Sequence, residues 1–486
     1  MSTELAQPAT SAPPGREARL GVVLAVCCLA QFLVTSSVAV VNVALPSMRE
    51  SGLGFTADSL QWIVNAYTVA FAGFLLLGGR VADFFGRRRV LLAGVLVFTV
   101  ASLAAGVAPG AGVLIAARAV QGLAAAVIAP TTLAVLGTSF TDVRSRHRAF
   151  GAWGAVSGAG GAFGALAGGV LTDALSWRWI FFVNVPVGLV LLAGAAWVVT
   201  ELRHHHGAVR ELDLVGAVTV TAAVLLAVLG IVQGGPKGWT SAASLGPLVA
   251  GVVLLALFLL IEHRWAPSPL LPLDVFKSRS VSAANVVALT SGAALFGTFY
   301  FLTLYLSQVR DYSPLRTGFA YLPLAVAIMV AAQFCAPLIR AVGPRTTLVL
   351  GMVLSAAGLF WLGRLSEESS FAGGVLGPTL ALGLGQGISM SATAIAGVAG
   401  VPAERAGLAS GLLNATRQLG GAVGLAVLAA VATARVTGLA EGGVPGPHAY
   451  ASGYGLAFTV AGVLALAGAL TALAAPGGTP RRAGAA

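Results

Sequence analysis

Long apolar runs recur along the whole chain, each separated from the next by a short segment carrying Gly, Pro or charge. A hydrocarbon core about 30 Å thick is crossed by roughly 20 helical residues, so each run predicts a membrane-spanning helix. Reading between the punctuating residues places spans at 20–45, 59–81, 90–108, 111–138, 149–172, 178–200, 212–233, 243–262, 281–307, 315–341, 344–363, 371–399, 406–434 and 452–475, fourteen in all. Within each run the apolar residues are continuous rather than alternating, which argues against a β-barrel. The pattern therefore predicts an all-α polytopic membrane protein. Residues 1–19, rich in Pro, Ala and Ser with mixed charge, are expected to form a disordered cytoplasmic tail, and 476–486 a second tail. The run at 20–45 is too long for a signal-peptide core and has no persuasive cleavage site, so it is expected to be retained.

Composition agrees with the pattern. Hydrophobic residues make up 57% of the 486 and charged residues only 9%, against roughly a quarter charged in soluble domains. The net charge of +11 raises nucleic acid as a partner, but no basic stripe is interleaved with stacking aromatics, so none is expected. The basic residues instead sort by side. With the N-terminus inside, 18 Lys or Arg fall in cytoplasmic segments and 7 in external ones, leaving Arg80, Arg118 and Arg417 within helices. This asymmetry predicts a multi-pass protein of the bacterial plasma membrane with both termini cytoplasmic. Cys27, Cys28 and Cys335 all lie in apolar segments and read as packing residues. His204, His205 and His206 read as a solvated loop, lacking a Cys or acidic partner that would complete a metal site. No G-x-x-x-x-G-K-[ST] loop is present, which argues against ATP. Without paired carboxylates or intramembrane His in the spans, an enzyme is not expected, nor any cofactor.

Two segments carry recognisable motifs. Residues 78–92, GGRVADFFGRRRVLL, describe a helix end, a tight Gly turn and a basic cluster at the membrane surface, with Asp83 placed to pair with Arg87 or Arg88 or to cap a helix. Residues 337–350, PLIRAVGPRTTLVL, echo them, Gly343 falling 257 positions after Gly86. The same offset relates Arg148 to Arg405. Two similar halves are what a transporter built from repeats displays.

These segments resemble the major facilitator superfamily, and specifically its fourteen-helix drug:proton antiporter branch of bacterial multidrug and antibiotic exporters. Gly79, Asp83, Gly86, Arg87 and Arg88 fit the motif of its helix 2–3 loop; LIAARAVQG, with Arg118, Gln121 and Gly122, fits that of helix 4. VVNVALP at 40–46, SWRWIFFVNVPVG at 176–188 and GLASGLLNATRQLGGAVG at 407–424 resemble signatures of the branch. The resemblance implies an N-terminal six-helix bundle at 20–200, a linker with helices 7 and 8 at 201–280, and a C-terminal six-helix bundle at 281–475. The bundles would rock about a central cavity, with the 83–89 loop as a gate clasp; a plain topogenic charge cluster is the alternative reading of that loop. Helix 5 carries Gly151, Gly154, Gly158, Gly161, Ala165 and Gly168 at spacings of three and four, a face on which another helix can approach closely. It fits the antiporter motif of the branch, except that Gly164-Ala165 stands where the branch has Gly-Pro.

Charge inside a span is expensive and points to function. Arg118 lies in helix 4, one turn before Gln121; Arg417 lies in helix 13, flanked at helical spacing by Ser410, Asn414 and Gln418. Each reads either as a cavity residue in substrate or proton coupling, or as a hub bonded to backbone carbonyls. All 17 acidic residues fall in tails, loops or span ends. Ser37 occupies the helix 1 position where the branch commonly has Asp. A cavity with two Arg and no carboxylate favours neutral, zwitterionic or anionic substrates over cations. Asp83, Asp173 and Glu262 are the candidate proton carriers. Asn42, Trp62, Asn65, Asn285, Tyr300, Tyr305 and Gln386 complete a candidate cavity suited to a ring-bearing molecule, ordinary helix packing being the alternative for each. The expectation is a monomeric secondary active exporter of small organic molecules, coupled to proton influx; an importer or facilitator of a nutrient or siderophore on the same fold is the alternative.

Overall fold

A computed structural model describes residues 14–140, 142–199, 213–265, 269, 271, 273–398, 401 and 406–474. Fourteen helices of fifteen residues or more follow one another: α1 (Pro14–Glu50), α2 (Trp62–Phe85), α3 (Arg87–Gly106), α4 (Ala111–Ser139), α5 (Val143–Ala174), α6 (Asn184–Val198), α7 (Leu214–Lys237), α8 (Ala242–Arg264), α9 (Arg279–Gln308), α10 (Leu322–Val342), α11 (Pro344–Leu362), α12 (Gly377–Ala396), α13 (Ala406–Glu441) and α14 (Gly446–Ala472). Short helical segments precede α2, α6, α9, α10 and α12. No strand occurs among the described residues. Among the described residues twelve helical segments are long and apolar enough to cross a membrane, while α2 and α5 contribute the shorter apolar stretches Trp62–Leu75 and Phe163–Ala174. That tally is compatible with the fourteen expected spans.

The starts of the helices follow local chemistry. Asp142, Asp213, Ser241, Ser278 and Ser313 each accept a hydrogen bond from the backbone N–H three residues on, capping α5, α7, α8, α9 and the short helix before α10. Gly86 and Gly343 do something sharper. Each ends one helix and begins the next, with φ 98° and ψ 127° at Gly86 and φ 82° and ψ 161° at Gly343. Only glycine adopts that backbone without strain. The two copies of the motif thus share a backbone conformation as well as a spacing.

Short connections make neighbouring helices antiparallel, so their ends alternate between two faces. The near face carries the start of α1, the end of α14, Gly86 and Gly343; the far face lies opposite. Packing repeats between the halves. In the first, α1 packs on α5, α2 on α4, and α3 on α4 and α6; in the second, α9 packs on α13, α10 on α12, and α11 on α12 and α14. Between the halves, α2 meets α13, and α5 meets α10 and its preceding short helix. The pair α7–α8 packs on itself and touches both halves at that α2–α13 seam through α7.

The core is shared unevenly. One cluster joins Val40–Met48 at the far end of α1, Ile63, Ala117 and Phe181 to Tyr300, Tyr321 and Phe458 of the second half. A second cluster, drawn from Val23, Leu33, Tyr67, Leu91, Ile128 and their neighbours, belongs to the first half apart from Ala415. A third seals the far part of the α2–α13 seam, where Val69 packs with Val224 and Val228 of α7 and Ala422 and Ala426 of α13. At the near face the segment after α8 is pinned from both sides: Arg80 of α2 donates to the Pro269 carbonyl, and Leu271 N–H donates to Glu262 Oε2 at 3.1 Å.

Candidate functional site

The two intramembrane arginines have opposite environments. Arg118 is fully buried within the first half. Its Nε donates to the Ile63 carbonyl (3.0 Å) and its Nη1 to Gln121 Oε1 (2.9 Å); Gln121 Nε2 then donates to Ser102 Oγ (2.7 Å). The guanidinium lies over the Tyr67 ring, 4.4 Å from its centroid, and the Tyr67 hydroxyl donates to the Val34 carbonyl. Two side chains on α4, Arg118 and Gln121, thus tie together α2 and α3, and Tyr67 extends the tie to α1. Only Nη2 is left without a partner. This is a hub.

Arg417 is built differently. It lies in the near half of α13, is partly exposed, and its buried Nε has no hydrogen-bond partner. Ser410 is exposed and Asn414 and Gln418 are partly exposed. These four share one helical face by their spacing. Lipid does not solvate such a stripe, so the polar face fits an aqueous opening. Beyond it, the stretch of α13 from Ala422 to Ala430 is packed against α2 and α7. Thr416, beside Arg417, donates to Asn285 Oδ1 (2.9 Å), while Asn285 Nδ2 donates to the Val281 carbonyl of its own helix. Six residues farther along α9, Ser291 donates to Gln386 Oε1 at 2.6 Å, leaving Gln386 Nε2 unpartnered.

The other candidates are scattered. Ser37 is buried and its hydroxyl donates to the Leu33 carbonyl of its own helix, whereas the neighbouring Thr35 and Ser36 are partly exposed. Asn42 donates to the Val38 carbonyl and keeps an unpartnered, buried Oδ1. Asn65 is fully buried with neither amide atom partnered. Trp62 packs against the cluster that seals the α2–α13 seam. Tyr300 is buried in the shared core next to Phe301, and the Tyr305 hydroxyl donates to the Ser366 carbonyl at the far face. Sequence reading brought Arg118 and Gln121 together but missed Tyr67, Ser102, Ser291 and Thr416, whose only signal is a small or amphipathic polar group inside an apolar run.

At the near face, Arg87 Nη1 donates to the Ala134 carbonyl near the C-terminus of α4 and Arg88 Nη2 to the Ala196 carbonyl near that of α6. Cations there complement the negative ends of both helix dipoles. The side chain of Asp83, Arg405 and the histidines at 204–206 lie outside the described residues. Gly79 makes ordinary contact with Pro130. At the far face, Arg178 donates to the Gly106 and Ala108 carbonyls and stacks on Trp177, so the 176–188 motif staples α6 to the end of α3.

The α5 glycines divide into two groups. A Cβ on Gly164 would lie 2.7 Å from the Ser36 carbonyl oxygen, and one on Gly168 2.7 Å from that of Val40; Gly154 has nothing within 4 Å and Gly161 meets only Phe299 at 3.9 Å. Gly158 is helical, its surroundings lying outside the described set. Gly160 and Gly169, off the predicted stripe, are also close-packed, against Thr35 and Pro314. α5 runs unbroken through Ala165.

The Major Facilitator Superfamily model matches residues 27–425. The chain is 42% identical to the cephamycin export protein CmcT of Amycolatopsis lactamdurans, over 91% of this chain and 90% of that protein. It is 41% identical to the puromycin resistance protein pur8 of Streptomyces alboniger, over 90% of this chain and 87% of that one. Among solved structures, an auto-inhibited POT family peptide transporter superposes with a TM-score of 0.68 at 18% identity, covering 96% of this chain and 99% of its own, a likeness of fold alone. With the family model spanning most of its length, the chain belongs to the Major Facilitator Superfamily.

Proposed function

We propose that this protein is a secondary active exporter of small organic molecules, antibiotics or secondary metabolites among them. It is a transporter rather than an enzyme. The observation that carries the reading is the division of α13. Its near half presents Ser410, Asn414, Arg417 and Gln418, while the stretch from Ala422 to Ala430 beyond it is packed against α2 and α7. Such a division describes a cavity open at one face and sealed at the other, one of the two states that alternating access requires. Export, rather than import, is supported by relatives named for cephamycin export and puromycin resistance.

In this reading the helices at 20–200 and 281–475 form two bundles that rock about the cavity, with 201–280 as the linker. The near face is cytoplasmic in this reading, supported by the concentration of loop arginines on that side. The bulky, ring-bearing substrate sits between the bundles, and proton influx drives its exit. The protein acts as a monomer.

A susceptibility panel in a pump-deficient bacterial host, with and without an uncoupler, tests this. Expression is expected to raise tolerance to at least one compound, and the uncoupler to abolish the gain. No shift for any compound counts against export; a shift that persists with the uncoupler counts against proton coupling. Uptake by everted vesicles fixes the direction.

A further inference from the structure

We propose that Arg417 is the anion-recognition point of this transporter, and that its substrates present a carboxylate there beside an apolar ring system. The inference rests on the exporter reading for the existence of a substrate cavity, and narrows the chemistry that cavity takes.

A guanidinium inside a membrane-spanning helix needs either hydrogen-bond acceptors or a counter-charge. Arg118 has the first, in the Ile63 carbonyl and Gln121. Arg417 has neither among the described residues: its Nε is buried and unpartnered. The nearby polar groups do not fill the role. Asn285 Oδ1 is engaged by Thr416, and Asn414 and Gln418 lie on the open stripe with Arg417. An acidic residue is not placed to fill it either, since all 17 lie in tails, loops or span ends. The intramembrane Asp that the helix 1 motif would bring is Ser37 here, its hydroxyl turned back onto the Leu33 carbonyl.

Among the described residues the positive charge is therefore uncompensated, on a face that is partly open. A low-dielectric wall strengthens its attraction for an anion. The guanidinium fork matches a carboxylate in two parallel hydrogen bonds, which a spherical inorganic anion does not reproduce. Asn414 and Gln418, one turn to either side or adjacent along the stripe, supply amide donors for further oxygen atoms of the same ligand. With Arg118 sealed inside the first half, one cationic point rather than two faces the substrate. That asymmetry favours a monoanion or a zwitterion docked by its acid end.

The test uses the purified full-length protein and a matched pair of fluorescent probes, 1-pyrenebutyrate and 1-pyrenebutanol, which share ring and linker and differ in the charged end. The acid is expected to bind about tenfold tighter than the alcohol, as one charge-assisted pair at a desolvated site provides. That ratio is expected to fall to about one in Arg417→Gln, and to stay above one in Arg417→Lys, which keeps the charge but loses the fork. A ratio of one in the unmodified protein overturns the proposal. So does a preference that survives Arg417→Gln, or full displacement of the acid by chloride at equal concentration. Because the readout is binding, the two readings separate: acid preference without any export in cells sinks the exporter reading alone, whereas export with a ratio of one sinks only the anion site. The lysine variant guards against misfolding, since a collapsed protein loses the preference in both variants.

Discussion

Gly164 on α5 and Gly421 on α13 stand 257 positions apart and occupy equivalent places in the fold. A Cβ on Gly164 would lie 3.2 Å from Ala39 Cβ on α1, and one on Gly421 would lie 2.9 Å from the Phe296 ring on α9. Ala39 and Phe296 are themselves 257 positions apart. The offset also carries Thr35 onto Gly292 and Gly160 onto Arg417, with a reversal. In the first half the glycine is on α5, where a Cβ on Gly160 would meet Thr35 Oγ1 at 2.1 Å; in the second it is on α9, where a Cβ on Gly292 would meet the Arg417 carbonyl at 2.0 Å. The α1–α5 and α9–α13 interfaces are one packing arrangement used twice, keeping closeness while exchanging which helix supplies the small residue.

That arrangement predicts which glycines tolerate bulk. Gly164→Val and Gly292→Val force a side chain into neighbouring backbone and are expected to destabilise the protein by about 1–3 kcal/mol each. Gly154→Ala, with nothing within 4 Å, and Gly161→Ala, with only Phe299 at 3.9 Å, are expected to change stability by less than about 0.5 kcal/mol. Melting of the detergent-purified variants checks this. A loss for Gly154→Ala as large as that for Gly164→Val would contradict the packing argument.

The hinge glycines give a second prediction. Gly86 and Gly343 hold φ of 98° and 82° with extended ψ, a region costing other residues about 1–3 kcal/mol. Open space surrounds a Cβ at Gly343. Loss on Gly343→Ala would therefore come from backbone conformation and not from a clash. Gly343→Ala and Gly86→Ala are each expected to lower the melting temperature, and Gly343→Asn to recover none of the loss, because asparagine tolerates the left-handed helical region and not positive φ with extended ψ. Equal melting for glycine and alanine at 343 would mean that the turn relaxes without strain.

Much of this architecture was legible because it is written in composition and period. Apolar runs ended by Gly, Pro or charge mark the helices, and the repeated Gly86 and Gly343 turns mark the two halves. The candidate site was less legible for a physical reason. In an apolar span a polar residue either faces a cavity or finishes its hydrogen bonds inside the bundle, and residue type does not distinguish the two. Arg118 and Arg417 look alike in sequence, yet Arg118 finds Ile63 and Gln121, contacts across helices that no local pattern encodes. Ser37 sits beside Ser36 in the chain, but one helical step of about 100° separates a buried hydroxyl from a partly exposed one. On α5 the spacing rule found Gly168 but also selected the uncrowded Gly154, while the close-packed Gly164 entered only through the place of the Gly-Pro pair.

The Arg118 hub predicts non-additive mutations. Arg118→Gln removes the bond to the Ile63 carbonyl and the contact with Tyr67, and strands Gln121 Oε1; Gln121→Leu strands Arg118 Nη1, while Ser102 keeps its donation to the Phe98 carbonyl. Each single change is expected to cost about 1–3 kcal/mol by leaving a buried group unmade. The double variant is expected to lose less than the sum, with a coupling of roughly 0.5–3 kcal/mol. Thermal melting of the four proteins measures it. Strict additivity would show that the two side chains act independently despite their 2.9 Å contact.

Asn65 offers the sharpest link between stability and movement. It is fully buried, and neither its Oδ1 nor its Nδ2 has a partner. Trp62 and Val69, three residues before it and four after, share its helical face and pack against the sealed α2–α13 seam. An amide held there without hydrogen bonds penalises the sealed state by about 1–3 kcal/mol, a penalty relieved when the seam opens to water. Asn65→Leu, with the same number and branching of side-chain heavy atoms but apolar, removes that penalty. The variant is expected to melt at a higher temperature than the unmodified protein. It is also expected to export more slowly, because a conformation favoured by about 1.4 kcal/mol is populated tenfold more and is left less often. A cysteine placed at Val69 and labelled with a membrane-impermeant reagent reports the seam directly, and its labelling is expected to fall in the Asn65→Leu background. Lower stability with faster labelling would show that Asn65 holds the seam closed and would reverse its assigned role.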